Sequence, residues 1–575
     1  MQTQRNARSA PPQGAPERGN AQRETAREVL RRFDAARQAR QPFDPVWEDV
    51  ATFMGPEYAG FSGSEPQIRR RPEIVDATAT RAAGVFAAGM LSGACSPAQR
   101  WFSLELDDPD VADRPDVRTW LQDVEDAFYA ALAEGGFYRE QALAYHQSGL
   151  FGWQCMYLDE GADGGVRFKA LPLSEVFIEE NAQGVVDTVF RRFTLTARDA
   201  ASRWGLDNMP DTVRRAAQEV RRQGERFDFL HAVFPRGGGA PGTAGGALPF
   251  ASVYLELGSR NIVSTGGYEE LPYIVARYHR LPGTAYSTSP GTEALADVKM
   301  LNEMKRLILE AGQLAVAPPY LVPDDGFVGR FSFEPRAMNY YRRAEGNSLA
   351  DFGPLSVGGD PRFSWELMQA TRKDIDAAFF VDLFLTIRSR SSAGATPTAR
   401  EVAELASERM FLLGPLLVNQ QQENFGRLFD RLHRLLERRG ELPAPPPELV
   451  GRRLHAEYVS PLMLAQKEGR AQTVLQTYAD AGQLAAVAPE VLDNFDHDEN
   501  LRRLMESRGF PQRGIRSRAA VRRVRRERDE NTAKLAMKEQ LSELREVAKV
   551  FPDLSSAPEE GSPAKALLTG MEDAT

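Results

Sequence analysis

Apolar residues recur at three- and four-residue steps between Leu295 and Ala311. Leu295, Val298, Leu301, Met304, Ile308 and Ala311 fall on one helical face, while Asp297, Lys299, Asn302, Lys305, Arg306 and Glu310 lie elsewhere around it. Ser289 is placed to cap this helix and Pro290 to open it. Pro318 and Pro319 stop it, so a helix is predicted over about 290–314. Residues 317–362 alternate short apolar pieces with Gly, Pro and Asp and read as a compact insert of strands and turns. A second helix follows over Trp365–Leu385, with Trp365, Met368, Ile375, Phe379 and Asp382 on adjacent turns. Ile387–Pro397 then breaks all periodicity and reads as a mobile loop.

The longest element starts at the capping box Thr398-x-x-Glu401 and runs to Gly440. Its roughly 42 residues would span about 60 Å, with a kink expected at Pro415. That is too long for a small domain and points to an extended or ring-shaped assembly. A Pro-rich stretch, a short strand over His455–Val459, and helices over 461–485, 497–508 and about 515–549 follow.

The first half of the chain is mixed. A Pro-, Gly-, Gln- and Arg-rich start reads as disordered. Helical patterning begins near Glu24 and returns at Asp44–Phe53, Asp76–Leu91, Val117–Leu132 and Phe137–Leu150, with a strand at Trp101–Leu104. Two hairpins are marked by Gly161–Gly165 and by Asn181–Gly184. Thr196–Asp199 has the form of a capping box, and strands are expected at Phe227–Phe234, Ser252–Leu257, Ile262–Val263 and Tyr273–Tyr278.

At 575 residues the chain is too long for one core. Its net charge of −9 argues against a stand-alone DNA-gripping protein, because phosphate contacts demand a basic surface. Two cysteines, Cys95 and Cys155, make no disulfide framework and imply reduced thiols. The N-terminus lacks the apolar core of a secretory signal, and no apolar run is long enough to span a membrane.

No pattern supports catalysis, a cofactor or a metal. Gly237, Gly239 and Gly242 match G-x-G-x-x-G, but a strand follows instead of a helix and Pro241 interrupts the motif. There is no Walker-type phosphate loop and no H-E-x-x-H. Asp493, Asp496, His497 and Asp498 form the one acid/His cluster, for which helix capping is the ordinary role. Eight arginines, including Arg522, Arg523, Arg525 and Arg526, crowd into the 16 residues from Arg513 to Arg528. They fit either a solvated helix face or contact with phosphates or an acidic partner.

Several blocks together resemble the head-to-tail connectors, or portal proteins, of short-tailed phages. They are Trp47-Glu48, Pro56-Glu57, Asp76–Ala79 through Gly89–Leu91, Arg100–Phe102, Ala294–Asn302 with Pro318-Pro319, Thr398–Val402, Gly414–Leu417 and Ser460–Gln466, in that order over about residues 45–510. The resemblance implies an α+β portal fold with long stem and wing helices, a small β-containing clip and a helical crown, assembled as a ring. It assigns 1–23 to a disordered tail, 24–285 to the wing, 286–316 to stem helix 1, 317–362 to the clip and 363–386 to stem helix 2. A tunnel loop at 387–397, the long kinked wing helix and strand at 398–460, a crown at 461–512 and an arginine-rich helix and tail at 513–575 complete it.

It further implies a homo-oligomer of about twelve subunits at one capsid vertex, passing double-stranded DNA non-specifically. Its partners would be the terminase large subunit, a tail adaptor, and the major capsid and scaffold proteins; no enzyme activity is implied. Arg388 and Arg390 are then expected at the narrowest part of the channel. Asp297, Lys299, Lys305 and Arg306 are the candidate polar residues of the stem helix. A different capsid-assembly protein, or a DNA-packaging enzyme, is the competing reading.

Overall fold

A computed structural model describes residues 15–61, 74–106, 108, 111, 114–161, 164–236, 248–323, 332–341, 353–354, 361–389, 413–449, 454–460, 476–484, 488–507, 516 and 518–550. The chain divides into two compact units, residues 1–107 with 119–509, and residues 108–118 with 510–575.

The larger unit is built on an antiparallel five-stranded meander of Val176–Glu180, Val186–Thr196, Arg226–Pro235, Phe250–Glu256 and Asn261–Tyr268. Strand side chains alternate between faces, and both faces of this sheet are covered. On one, Phe177, Phe190, Leu230, Ala232, Val253 and Leu255 pack against Ala26, Val29, Phe33 and Ala36 of the helix Ala15–Arg40. On the other, Phe193, Phe229, Tyr254 and Val263 pack against the short helices Ala197–Trp204 and Asp211–Gln218. The first helix begins at Ala15, inside the stretch read from composition as tail.

Trp153–Glu160 is the centre of a second, three-stranded sheet between Val166–Ala170 and Tyr273–Arg277. Phe102–Leu106 pairs with Leu454–Tyr458, joining positions about 350 residues apart. Three further strands, Tyr320–Pro323, Met338–Tyr341 and Gly353–Pro354, form the insert after the stem-like helix. The glycine loop at 237–247 lies outside the described residues, but the strands on either side of it pair antiparallel, Pro235 opposite Phe250.

Two helices differ from expectation. The segment Trp365–Leu385 is two helices, Pro361–Ala378 and Val381–Ser389. They break at Phe379-Phe380, where Phe380 adopts φ +57°. The side chains explain the break: Phe379 is fully buried, and Phe384 of the next helix fills the space above Gly89. Of the residues read on adjacent turns, Met368, Ile375 and Phe379 are buried, while Trp365 is 57% exposed. In the long helix, residues 398–412 lie outside the described residues, and residues 413–439 are helical. The described distortion is a π-helical segment at Gln420–Gly426, beyond Pro415. The helix ends at Gly440 in the left-handed region, its N–H donating to Leu436 and Glu437 carbonyls.

Two buried arginines hold this helix to the sheets. Arg277, fully buried, donates to Glu423 of the π segment and to Glu180. Arg431, 2% exposed, donates to the Leu158 carbonyl, Asp159 and Glu270. The smaller unit contains one long helix, Arg518–Val550.

Candidate functional site

The stem-like segment begins as its sequence predicts. Ser289 Oγ accepts from Thr292 N at 2.9 Å and Thr292 Oγ1 accepts from Ser289 N at 2.9 Å, a reciprocal capping box with Pro290 at the first position. Ser289 also donates to the Leu150 carbonyl at 2.7 Å. Gly291 lies against that same carbonyl, where an added Cβ would stand 2.5 Å from the oxygen. A one-turn helix, Pro290–Glu293, then leads into Leu295–Val316.

The first half of Leu295–Val316 is anchored. Val298 and Leu301 are buried. Asn302, 4% exposed, accepts from the backbone N–H groups of Val75 and Asp76 at 2.7 and 2.8 Å and donates to the Val298 carbonyl. Asp76, also 4% exposed, is the hub. Its carboxylate accepts from Thr78 N and Oγ1, from Lys305 Nζ at 3.2 Å and from Arg372 at 2.8 Å. Burial alone would raise its pKa. The hydrogen bonds from Thr78, Arg372 and Lys305 outweigh burial and hold the carboxyl well below the usual range. Asp76 thereby joins three helices: Thr78–Ala94, Leu295–Val316 and Pro361–Ala378.

Beyond Arg306 the helix is mostly exposed. Leu307 is 53%, Leu309 54% and Val316 88% exposed. Met300 is exposed one heptad before Leu307, and Leu309 lies one heptad before Val316. Two residues turn a helix by roughly 200°, so the pairs Met300/Leu307 and Leu309/Val316 are stripes on opposite sides. The companion helix adds exposed Trp365 and Leu367.

Of the sequence-selected stem residues, Lys305 is drawn into the Asp76 hub, and Lys299 pairs with Asp49 at 2.6 Å. Arg306 pairs within its helix with Glu303 at 2.5 Å, and Asp297 sits in the first turn. Arg388 falls in the last turn of Val381–Ser389, a helix where a loop was expected; its side chain, and Arg390, lie outside the described residues. Arg522, Arg523, Arg525 and Arg526 are exposed on Arg518–Val550. Asp496 accepts from Glu499 N at 2.9 Å as a helix cap, and His497 Nδ1 lies 3.1 Å from Tyr478 OH. Sequence reasoning missed the roles of Asp76, Arg372, Arg277 and Arg431. Only the D-x-T spacing of Asp76 and Thr78, an Asx turn at a helix start, was open to it.

The helix is thus rooted in a charged hub and carries exposed apolar side chains on two sides. The chain belongs to the bacteriophage head-to-tail connecting proteins, whose family profile matches residues 26–516. It is 29% identical over 514 residues to the portal protein of Salmonella phage epsilon15, covering 88% of this chain and 91% of that one. It is 28% identical over 481 residues to the probable portal protein of Bordetella phage BPP-1, covering 82% and 85%. A chain from the neck of an empty gene transfer agent particle aligns over 71% of this chain and 86% of its own, at 13% identity and a TM-score of 0.34.

Proposed function

We propose that this chain is a portal subunit, a structural conduit and not an enzyme. It assembles as a closed homo-oligomeric ring, of about twelve copies, at one vertex of a phage capsid. The ring passes double-stranded DNA during packaging and ejection. It docks the terminase large subunit and then a tail adaptor, within a shell of major capsid and scaffold proteins.

The observation that carries the ring is the pair of opposed stripes, Met300/Leu307 and Leu309/Val316, on a helix whose base is fixed. A cyclic interface is heterologous: each subunit offers two different faces, and each covers the other on its neighbour. Two exposed apolar stripes on one helix meet that requirement, and stripes of this kind are otherwise costly to leave wet. In this reading Leu295–Val316 and Pro361–Ala378 are the stem, the strands between them are the clip, and Arg388 and Arg390 border the narrowest part of the channel. The net charge of −9 suits a conduit, since a strongly basic wall would hold DNA and stall it. Negative-stain microscopy of the purified chain tests the proposal: rings with a central hole are expected, and a monodisperse monomer at high concentration would refute it.

A further inference from the structure

The geometry points to a second nucleic-acid contact, outside the stem segment: we propose that Arg522, Arg523 and Arg526 form a sequence-blind site for the phosphate backbone of duplex DNA. The first third of the helix Arg518–Val550 holds six arginines against the single acid Glu527, in a chain whose net charge is −9. Arg522 and Arg526 stand four residues apart, which stacks like charges on one face and costs helix stability unless anions come between them. Arg523 lies roughly 100° around from Arg522, so with Arg526 it widens the stripe.

The guanidinium groups of Arg522, Arg523 and Arg526 are exposed and make no ion pair among the described residues, although Glu527 and Glu530 stand four residues after Arg523 and Arg526. These three side chains form a surface awaiting a polyanion. Its chemistry favours phosphate. All six bases here are arginine, whose planar fork matches phosphate oxygens, whereas the lysines Lys534, Lys538 and Lys549 come only further along. Base readout has no means here. From Arg518 to Val550 there is no aromatic residue to stack on a base and no Asn or Gln within the stripe to read an edge. A folded acidic protein would also want apolar surface beside the charges, yet Val521 and Val524 are both partly covered, and the exposed Leu535 and Met537 lie more than two turns beyond Arg526.

The test is binding of a labelled 20-base-pair duplex to the full-length chain as it assembles, followed by fluorescence anisotropy across a salt series. Two duplexes of unrelated sequence should bind alike. The triple variant R522Q/R523Q/R526Q should flatten the slope of log affinity against log salt by roughly 2 to 3, about 0.9 for each phosphate no longer neutralised. The triple lysine variant at the same positions should keep that slope, which separates the effect of charge from that of an unfolded helix; circular dichroism checks the helix directly. An unchanged slope in the glutamine variant overturns the proposal, as does equal binding of poly-glutamate by the wild-type chain. Microscopy judges the ring separately, so intact rings with an unchanged slope would sink this inference alone.

Discussion

Arg372 and Asp76 meet at 2.8 Å across 296 residues of sequence, and Lys305 reaches the same carboxylate oxygen at 3.2 Å. One aspartate thus holds both stem-like helices to the helix Thr78–Ala94. Removing it leaves two cations facing a hole, and neither is free to reach bulk water fully, at 22% and 33% side-chain exposure. Asp76→Ala should lower stability by about 2 kcal/mol at pH 7, below the roughly 3 to 5 kcal/mol of a fully buried broken pair because Arg372 and Lys305 retain some solvent. Denaturation of the unassembled subunit would show it, and hydrogen exchange should rise first in residues 295–306.

The pH dependence of that destabilisation has a definite sign. The Asp76 carboxyl titrates lower folded than unfolded. Its stabilisation is therefore complete above the unfolded value near pH 4 and fades as pH falls towards the folded value. The stability gap between wild type and Asp76→Ala should be constant from about pH 5 upward and shrink below about pH 4. A gap that widens on acidification would contradict the hub.

His231 is 2% exposed, stacked at 3.9 Å on the Tyr254 ring, with Nε2 3.0 Å from Ser252 Oγ and Nδ1 beside Tyr273 OH. Burial, then the charges of Arg203 and Arg191, push its pKa well below the ordinary value near 6.5. The folded state thus binds this proton less readily than the unfolded chain, and stability falls as pH drops below about 6.5. The contribution approaches about 1.4 kcal/mol per pH unit for one proton. His231→Gln should remove that part of the slope between about pH 6.5 and 5 in denaturant titrations.

Gly291 is required by proximity alone. A Cβ there would lie 2.5 Å from the Leu150 carbonyl oxygen and 3.0 Å from its Cα, both backbone atoms that cannot rotate away. Gly291→Ala should displace the capping turn, cost about 1 to 3 kcal/mol, and lower the yield of rings by tilting the helix that follows. Gly312, on the free half of the same helix, has open space around its Cβ position, so Gly312→Ala is the matched control and should stabilise slightly.

Much of this architecture was legible because it is local. The Ser289-Pro290 start, the hairpins about Gly164 and Gly184, and the alternating strands all follow from spacing and turn chemistry, and the structure has them. What sequence could not supply was long-range. Nothing about Lys305 or Arg306 says that the first reaches Asp76 while the second turns to Glu303 within its own helix. The break at Phe380 was invisible for the same reason. Periodicity runs smoothly through Phe379 and Val381, and the tertiary seat of Phe384 against Gly89 decides it. Arg277 and Arg431 look like surface arginines until two sheets and a π segment close over them.

The opposed stripes predict separable defects. Leu307→Asp and Leu309→Asp each place a charge on a side chain already about half exposed, so the monomer should change by less than about 0.5 kcal/mol. In a closed ring each would put that charge into an apolar contact once per subunit, and assembly should fail. Because the two residues lie on opposite sides, mixing the two variants still leaves each able to form one good junction. Such mixtures should give one-to-one open dimers in sedimentation, while either variant alone stays monomeric.

The arginines after the second stem-like helix carry the last expectation. Arg388 closes the helix Val381–Ser389, and Arg390 follows it directly. Sparse positive charge at a constriction makes brief phosphate contacts without the grip of a basic wall, so it steers DNA while letting it pass. Exchanging both for glutamate reverses the local field over a separation of two residues. Rings should still assemble, since neither residue lies on the Met300/Leu307 or Leu309/Val316 stripe. Packaging in a defined in vitro reaction, or retention of packaged DNA, should fall at least about tenfold, with the defect eased at high salt where fixed charge is screened. Packaging at the wild-type level with intact rings would remove these two arginines from the DNA path.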